Sequence, residues 1–185
     1  MNERILCIVV CGAGPADRVG RLVELAQHDG WTVRLVATPT GAGFVDVDAL
    51  AAQSGAAVRS GYRAAGESGP RSSTADAVIV APATYNTINK LAFGINDTYA
   101  LNVVAEAIGR GRPVVVIPFV NTALATRHPF RNAVRALREE GVRIVFGPGQ
   151  WEPHEPGTGD ERIDSFPWHL ALKQICGDWG TRGAP

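Results

Sequence analysis

The sequence Pro82-Ala-Thr-Tyr-Asn-Thr-Ile-Asn-Lys-Leu-Ala-Phe-Gly-Ile-Asn-Asp97 directly follows the apolar run Ala77-Val-Ile-Val-Ala81. The run is short, continuous and rich in β-branched residues, which is typical of a strand buried on both faces of a parallel sheet. The residues after it change to a pattern typical of a helix. A turn with hydroxyls, a side-chain amide and backbone N–H groups at the carboxyl end of such a strand is suited to bind a polar, planar or anionic ligand.

Strand-like and helix-like segments alternate on both sides of this stretch. Strands are predicted at 4–11, 31–38, 57–59, 76–81, 113–117 and 142–146. Helices are predicted at 16–29, 46–54, 99–109, 128–140 and 163–175, and Gly30 and Gly141 follow two of them in the position of a helix-terminating glycine. The alternation predicts an α/β fold, a single three-layer domain in which helices cover both faces of a doubly wound parallel sheet.

The bulk composition argues against several classes of partner. The chain has 185 residues, enough for one domain with a substantial core, and its 18 basic and 18 acidic side chains balance. Because no basic run or basic-aromatic stripe occurs, we expect no nucleic-acid partner. The apolar run at 5–10 is too short for a membrane span or a signal sequence. We therefore expect a cytoplasmic protein with no membrane association.

The cysteines and histidines have neither the spacing of a disulfide framework nor that of metal ligands. Cys7 and Cys11 fall in the first predicted strand or at its end, and Cys176 is distant in sequence. We interpret the cysteines as buried small hydrophobic residues, with a reactive Cys11 beside the first loop as the alternative. No two of the four histidines have ligand spacing on one helix, so we expect no metal site.

The loop after the first predicted strand contains Gly12-Ala13-Gly14, a partial dinucleotide-binding motif. The full motif requires a third glycine at the position of Asp17, and no acidic residue ends the second predicted strand. NAD binding is therefore disfavoured. Two interpretations stay open: a mononucleotide phosphate bound at the N-terminus of the following helix, and a tight turn that binds nothing.

Two segments lack any periodicity. Residues 60–74 are rich in glycine and serine, which predicts a mobile functional loop or an insertion. Residues 147–165 are rich in glycine, proline and glutamate. We therefore divide the chain into a main unit at 1–146 and a C-terminal clamp or tail segment at 147–185 that packs on the same domain.

Three motifs resemble those of a known family. The stretch 82–97 resembles the Pro-Ala-Ser-Ala-Asn-Thr motif of the homo-oligomeric flavin-containing cysteine decarboxylases, which include phosphopantothenoylcysteine decarboxylase and the epidermin-type peptidyl-cysteine decarboxylases. The flavin prenyltransferases are more distant relatives. Thr38-Pro-Thr-Gly-Ala-Gly-Phe44 resembles the family's segment after strand two, and Pro118-Phe-Val-Asn121 resembles the start of its Pro-x-Met-Asn motif. The resemblance is strongest over 76–97.

The resemblance implies a Rossmann-like (flavodoxin-like) domain that binds FMN at contacts between subunits and assembles as trimers or multiples of trimers. The residues implied to hold FMN are Gly12, Ala13, Gly14, Thr38, Phe44, Ala83, Thr84, Tyr85 and Asn86. Phe44 is a candidate to reach a neighbouring subunit's site. Asn121 is the candidate to bind a substrate carboxylate, because an amide can do so without carrying charge. The implied substrate is a small molecule or a peptide C-terminus.

The sequence also departs from the family pattern. The family's catalytic histidine corresponds by counting to Ser68, and residues 60–74 contain no histidine that could act as a base. Tyr85 replaces a small alanine, and its phenol would crowd, stack on or hydrogen-bond to a bound group. The other departures are Ala13 in place of serine, and Val120, Leu124 and Ala125 in place of Met, Met and Trp.

We therefore hypothesise an FMN-binding flavoprotein that catalyses a flavin-dependent redox or decarboxylation step. One alternative is a non-catalytic flavin-binding or regulatory homologue, and another is a nucleotide-binding protein without flavin. A third is a flavin prenyltransferase-like enzyme, for which Arg127 and Arg131 are the available phosphate ligands.

Several other polar residues receive structural interpretations. Lys90 is interpreted as a solvated helix residue, and Asp97 as the cap of the helix that starts near Thr98. Trp151 and His154 belong either to a substrate clamp or to a tail that packs on a neighbouring subunit.

Overall fold

The computed structural model describes residues 3–62 and 74–179, with side chains up to 175. The described residues form one sheet of five strands. These are β1 (Ile5–Val10), β2 (Thr32–Ala37), β3 (Ala77–Ala83), β4 (Val114–Pro118) and β5 (Arg143–Ile144). All neighbouring strands are parallel, in the order β2-β1-β3-β4-β5. The predicted doubly wound, Rossmann-like α/β fold is confirmed.

Helices connect and follow these strands. The α-helices of the described residues are α1 (Gly20–His28), α2 (Val47–Ser54), α3 (Tyr85–Ala92), α4 (Tyr99–Gly109), α5 (Thr122–Ala125), α6 (His128–Glu139) and α7 (Trp168–Trp179). Short 3-10 turns occupy Gly14–Arg18, Gly41–Phe44 and Gly159–Arg162. None of the described helices is long and apolar enough to cross a lipid bilayer.

The sheet is buried on both faces because β1, β3 and β4 are apolar at every position. In β1, Leu6, Ile8 and Val10 belong to one face, and Cys7 and Val9 belong to the other, as the two-residue period of a strand requires. Helices α1 and α7 cover the first face, and α3, α4 and α6 cover the second. This layering is the one that uninterrupted apolar runs predict for a parallel sheet.

The strand order places the carboxyl ends of β1 and β3 at a topological switch point. From β1 the chain moves outward to β2, and from β3 it moves in the opposite direction to β4. The helices that follow the two strands therefore cover opposite faces, and this is where open α/β sheets bind their ligands. The two loops meet there, since the Cys11 N–H donates a hydrogen bond to the Pro82 carbonyl at 3.2 Å.

Three predicted elements differ in the structure. The predicted strand at 57–59 is a single bridge between Arg59 and Val36. The predicted helix at 16–29 is interrupted, because Pro15 lies in the first turn of a 3-10 segment and α1 begins only at Gly20. The C-terminal helix begins at Trp168 and not at 163, directly after a proline, since the residue before a proline is disfavoured in helical conformation.

Candidate functional site

The motif after β3 forms a capped helix start at the carboxyl edge of the sheet. Thr84 is the N-cap of α3: its Oγ1 accepts a hydrogen bond from the Thr87 N–H at 3.3 Å and lies 2.9 Å from the Thr87 Oγ1. Ala83, the last residue of β3, is buried, and its carbonyl accepts a hydrogen bond from the Phe119 N–H at 2.8 Å. The first two N–H groups of α3 have no intrahelical acceptor, as at every helix N-terminus, and can bind a ligand.

The two residues that open α3 have different surroundings. The Tyr85 ring stacks on the buried Phe130 ring, with centroids 5.7 Å apart, and its hydroxyl accepts a hydrogen bond from Arg127 Nη1 at 3.3 Å. The phenol thus finds both its stacking partner and its hydrogen-bond partner within its own chain. Asn86 is exposed, and its side-chain amide makes no hydrogen bond to the residues that the structure describes. That amide can therefore bind an external group.

The loop after β1 is shaped by its two glycines. A Cβ on Gly12 would lie 2.7 Å from Thr40 Cγ2, and a Cβ on Gly14 would lie 3.2 Å from the Phe119 ring, so both glycines are tight against the chain's own side chains. Ala13 between them is nearly buried. The Gly12 N–H has no hydrogen-bond acceptor within the described part of the chain. It is therefore a free donor at the carboxyl end of β1.

The loop after β2 closes against the end of β1. Thr38 is buried, its N–H donates to the Val10 carbonyl at 2.9 Å, and its Oγ1 accepts from the Gly41 N–H at 3.0 Å. Its hydroxyl hydrogen can still be donated to a ligand. Phe44 is 46% exposed, and its ring lies beside Gly12 of the same chain. A contribution of Phe44 to a neighbouring subunit stays a prediction.

Asn121 precedes a one-turn helix that the sequence pattern does not predict. Its Oδ1 accepts a hydrogen bond from the Leu124 N–H at 2.9 Å, which makes Asn121 the N-cap of α5. The preference of asparagine for N-cap positions is the only signal for this helix, because four residues are too few to show a helical period. The Asn121 Nδ2 has no partner among the described residues, so that the amide can still donate to a carboxylate oxygen.

The segment at 147–166 packs over the carboxyl end of β4 through an aromatic cluster. The cluster consists of Phe119, Trp151, His154, Phe166 and Trp168. The His154 ring lies 4.7 Å from the Phe119 ring, and the His154 carbonyl accepts a hydrogen bond from the Thr122 N–H at 2.8 Å. Burial, and secondarily the charge of Arg162, lowers the pKa of His154 from its usual 6.5. The neutral imidazole is therefore favoured in this wall.

Two thiols lie buried beneath the site. Burial raises the pKa of Cys7 to about 12, against the smaller opposing effect of Arg34. Burial also raises the pKa of Cys11, although hydrogen bonds with the Thr87 side chain and the Thr84 backbone oppose the shift. Because the thiolate is the reactive form, neither thiol is suited to be a nucleophile at neutral pH. The interpretation of both as buried structural residues is confirmed.

Two polar residues of the motif pair with each other. The Lys90 Nζ donates to Asp97 Oδ2 at 2.6 Å in a partly exposed ion pair, so that this helix residue has a partner in addition to solvent. The prediction of Asp97 as a helix cap is wrong. The cap of α4 is Thr98, whose Oγ1 accepts from the Leu101 N–H at 3.2 Å. The sequence contains two adjacent residues that favour capping, and in the structure Thr98 caps α4 while Asp97 pairs with Lys90.

The sequence of residues 1–163 matches the model of the family described as Flavoprotein. The matched part includes the loop after β1, the motif after β3 and Asn121. The chain belongs to the Flavoprotein family. Its membership confirms the family resemblance that the motifs indicate. Ser68, the predicted counterpart of the family's catalytic histidine, lies outside the described residues, as does most of the predicted loop at 60–74.

Proteins similar to this flavoprotein include decarboxylases and a prenyltransferase. The FMN-dependent cysteine decarboxylase TvaF, from thioviridamide biosynthesis, has a TM-score of 0.72 and 24% identity over 95% of this chain and 99% of that one. The FMN-dependent cysteine decarboxylase SpaF has a TM-score of 0.67 and 26% identity, over 92% of this chain and 98% of that one. The flavin prenyltransferase UbiX of Synechocystis sp. is 34% identical over 67% of this chain and 53% of its own length. This flavoprotein spans about half the length or less of the curated relatives that it matches.

Proposed function

We propose that this flavoprotein binds FMN at the carboxyl ends of β1 and β3 and catalyses a redox or decarboxylation step on a small molecule or a peptide C-terminus. One arrangement carries the proposal: the loop at 12–14 and the start of α3 meet at the switch point, joined by the hydrogen bond between Cys11 and Pro82. The similarity in fold to two FMN-dependent cysteine decarboxylases supports the choice of flavin and of reaction class.

The groups present at this edge fit a flavin with a phosphate. The free N–H of Gly12 and the first N–H groups of α3 are donors for an anion, and the helix dipole adds to their effect. The exposed Asn86 amide can pair with a polar ring edge. The residues that we assign to FMN are Gly12, Ala13, Gly14, Thr38, Phe44, Ala83, Thr84, Tyr85 and Asn86.

The side chains of this edge would orient a substrate and not attack it. FMN, when bound, supplies hydride or electron acceptance. Asn121 presents a free Nδ2 donor and carries no charge, which suits it to bind a substrate carboxylate. Cys11 is buried and protonated, so it is not expected to form a covalent bond with substrate.

A flavin titration tests the proposal directly. The protein as purified should show flavin absorption, and the apoprotein should bind added FMN with a shifted flavin spectrum. Asn86→Ala should weaken FMN binding about tenfold, the value of one hydrogen bond. Asn96→Ala is the matched control, since Asn96 is an exposed amide whose Nδ2 donates to Asn102 and not to the proposed site. A colourless protein that gains no flavin spectrum with FMN would refute the proposal.

Turnover is tested separately from binding. Anaerobic reduction of the bound flavin by candidate thiol substrates should occur if the protein is an enzyme. Flavin binding without any substrate-driven reduction or carbon dioxide release would favour the non-catalytic homologue.

We also infer a homo-oligomer, a trimer or a multiple of trimers. Large apolar side chains are exposed on the loop after α3, where Phe93 is 67% and Ile95 is 46% exposed, and Phe44 is similarly exposed beside the proposed site. Neighbouring exposed apolar residues are typical of interfaces. Light scattering should give a mass above that of one chain, and Phe93→Ser should reduce it. A monomeric wild-type protein would contradict this inference.

A flavin prenyltransferase-like activity is the second candidate. It is favoured by the similarity to the Synechocystis enzyme and by Arg127 and Arg131, which form no ion pair with the described acidic residues. Incubation with reduced FMN and a dimethylallyl phosphate would then give a modified flavin, detectable by mass spectrometry. Unmodified flavin after that incubation would exclude this candidate.

A further inference from the structure

We propose that Arg127, held in place by Tyr85, is a specificity-determining residue that binds the substrate's carboxylate; this rests on the function proposed above. The Arg127 Nη1 donates to the Tyr85 hydroxyl at 3.3 Å, and the guanidinium carbon lies 6.0 Å from the centroid of the Tyr85 ring. The Tyr85 ring is fixed in turn by its stacking on the buried Phe130. The guanidinium of Arg127 is therefore hydrogen-bonded to Tyr85, the first residue of α3, at the proposed flavin site.

The charge of Arg127 is not neutralised by the chain. Among the described residues no carboxylate lies within ion-pair distance of it, whereas Arg110 pairs with Glu106 at 3.3 Å and Arg135 approaches Glu139 at 4.0 Å. Arg127 is also exposed. An exposed guanidinium that is held by a hydrogen bond to the Tyr85 hydroxyl and has no carboxylate partner among the described residues is suited to bind an anion.

A second donor belongs to the same turn of the chain. Asn121 begins α5 and Arg127 follows its end, so the two residues flank one short helix. The Asn121 Nδ2 is free, because its Oδ1 caps α5. The ends of β3 and β4, which carry Tyr85 and this turn, are neighbours in the sheet, with Ala83 in register with Pro118.

The geometry points to a carboxylate as the anion. A carboxylate has two oxygens in one plane, which match the parallel donors of a guanidinium, and the neutral Asn121 amide adds a donor without adding charge. This assignment explains why a tyrosine stands at position 85. Its hydroxyl accepts one N–H of Arg127 and leaves the other N–H groups of the guanidinium free to bind the carboxylate. This is a function that a small residue at position 85 would not provide.

The test compares two thiols that differ only in the carboxylate. N-acetylcysteine and N-acetylcysteinamide are titrated into the FMN-loaded protein, and binding is followed by the perturbation of the flavin spectrum. The free acid should bind about 10- to 100-fold more tightly than the amide, the value of a charge-assisted hydrogen bond. Arg127→Gln should abolish this preference, Arg127→Lys should restore it in part, and Tyr85→Phe, which keeps the ring, should reduce it. Arg135→Gln, on the helix that Arg127 precedes, is the control and should leave the preference unchanged.

Several outcomes would overturn the assignment. Equal binding of the acid and the amide, no binding of the acid, or a preference that survives Arg127→Gln would each exclude Arg127 as the carboxylate ligand. Inorganic pyrophosphate is the third probe, and tight binding of it with no binding of the acid would assign Arg127 to a phosphate. FMN affinity is measured for every variant. If the wild-type protein does not bind FMN, the proposed function is refuted. If it binds FMN but does not prefer N-acetylcysteine over the amide, only the role of Arg127 is refuted.

Discussion

The two strand–helix junctions at the switch point turn the chain in different ways. After β1, glycines let the backbone approach other side chains: Gly12 lies against Thr40 and Gly14 against Phe119, and the 3-10 turn that follows has no side-chain cap. After β3, the turn is held by hydrogen bonds, since Thr84 caps α3 through Thr87. The first junction is thus defined by shape and the second by polar groups.

This difference predicts different consequences for substitutions at the two junctions. Added volume at the first junction should act mainly on the stability of the fold. Loss of a polar group at the second junction should act on ligand binding as well as on stability. Substitutions at Gly12 and Thr84 separate these two kinds of consequence, and substitutions at Gly41 and His154 probe the loops that pack beside the junctions.

The largest effect is expected where backbone atoms of β1 block a new side chain. A Cβ on Gly41 would lie 2.5 Å from the Val10 carbonyl oxygen and 2.9 Å from Thr38 Oγ1. Because β1 is held between β2 and β3 in the sheet and cannot move freely, Gly41→Ala should lower the free energy of unfolding by about 3 kcal/mol and Tm by about 6 to 12 °C. Thermal unfolding followed by circular dichroism measures this.

Gly43→Ala in the same 3-10 turn is the control, since nothing lies within 4 Å of its Cβ. Its Tm should stay close to that of the wild type. If the two alanine variants melt at the same temperature, the loop after β2 is not packed on β1 as described.

A smaller loss is expected for Gly12→Ala. Its Cβ would meet Thr40 Cγ2 at 2.7 Å and the Phe44 ring at 3.2 Å, and both of these side chains are exposed and can yield. We expect a loss of about 1 to 2 kcal/mol in urea unfolding. Thr40→Ser removes the blocking methyl group, so the double variant should regain part of the loss. Strictly additive effects of the two substitutions would show that Thr40 is not the obstacle.

Removal of the cap at the second junction should affect two properties at once. Thr84→Val deletes the hydroxyl that caps α3 and should lower the free energy of unfolding by about 1 kcal/mol. It should also weaken FMN binding, because the first turn of α3 is part of the proposed site. Thr98→Val removes the equivalent cap of α4 and should lower stability to a similar extent while leaving FMN affinity unchanged. If Thr84→Val and Thr98→Val change FMN affinity equally, the cap of α3 is not part of the FMN site.

The smallest effect concerns the pH dependence contributed by His154. Its pKa is lowered in the folded protein, so the unfolded chain takes up the proton first as the pH falls. The stability that the neutral imidazole provides is therefore present above about pH 6.5 and is lost as the pH falls through the folded pKa. His154→Gln should flatten the decline in urea midpoint between neutral and acid pH. The control is His28→Gln, which replaces a side chain that is 88% exposed and should leave this decline unchanged. If His154→Gln also leaves the decline unchanged, His154 is not packed in the aromatic cluster as described.

Much of the fold could be predicted from the sequence because its signals are local. The run Ala77–Ala83 and the other apolar runs are short, β-branched and separated by helical patterns, which leaves a parallel sheet as the consistent arrangement. Of the candidate site, the placement of Gly12 and Thr84 at one edge followed from the rule that parallel strands share their carboxyl ends. The functional roles of these residues stay predictions.

The parts that could not be predicted depend on contacts between distant residues. The hydrogen bond between Tyr85 and Arg127 joins residues 42 apart, and no periodicity encodes it. The aromatic wall at 147–166 has no secondary-structure pattern, since it is held by ring packing on Phe119 and by a bridge to Asn121. The prediction for the cap of α4 is wrong by one residue because Asp97 and Thr98 are both favourable caps, and the sequence does not show that Thr98 caps the helix while Asp97 pairs with Lys90.

Hydrogen exchange with and without FMN, read by mass spectrometry, shows whether FMN binds where the loop after β1 meets the start of α3. FMN should slow exchange in peptides that cover 11–18 and 84–92, the two junctions at the switch point, and should leave α2 at Val47–Ser54 unchanged. FMN binding without protection at either junction would show that FMN does not bind at the switch point.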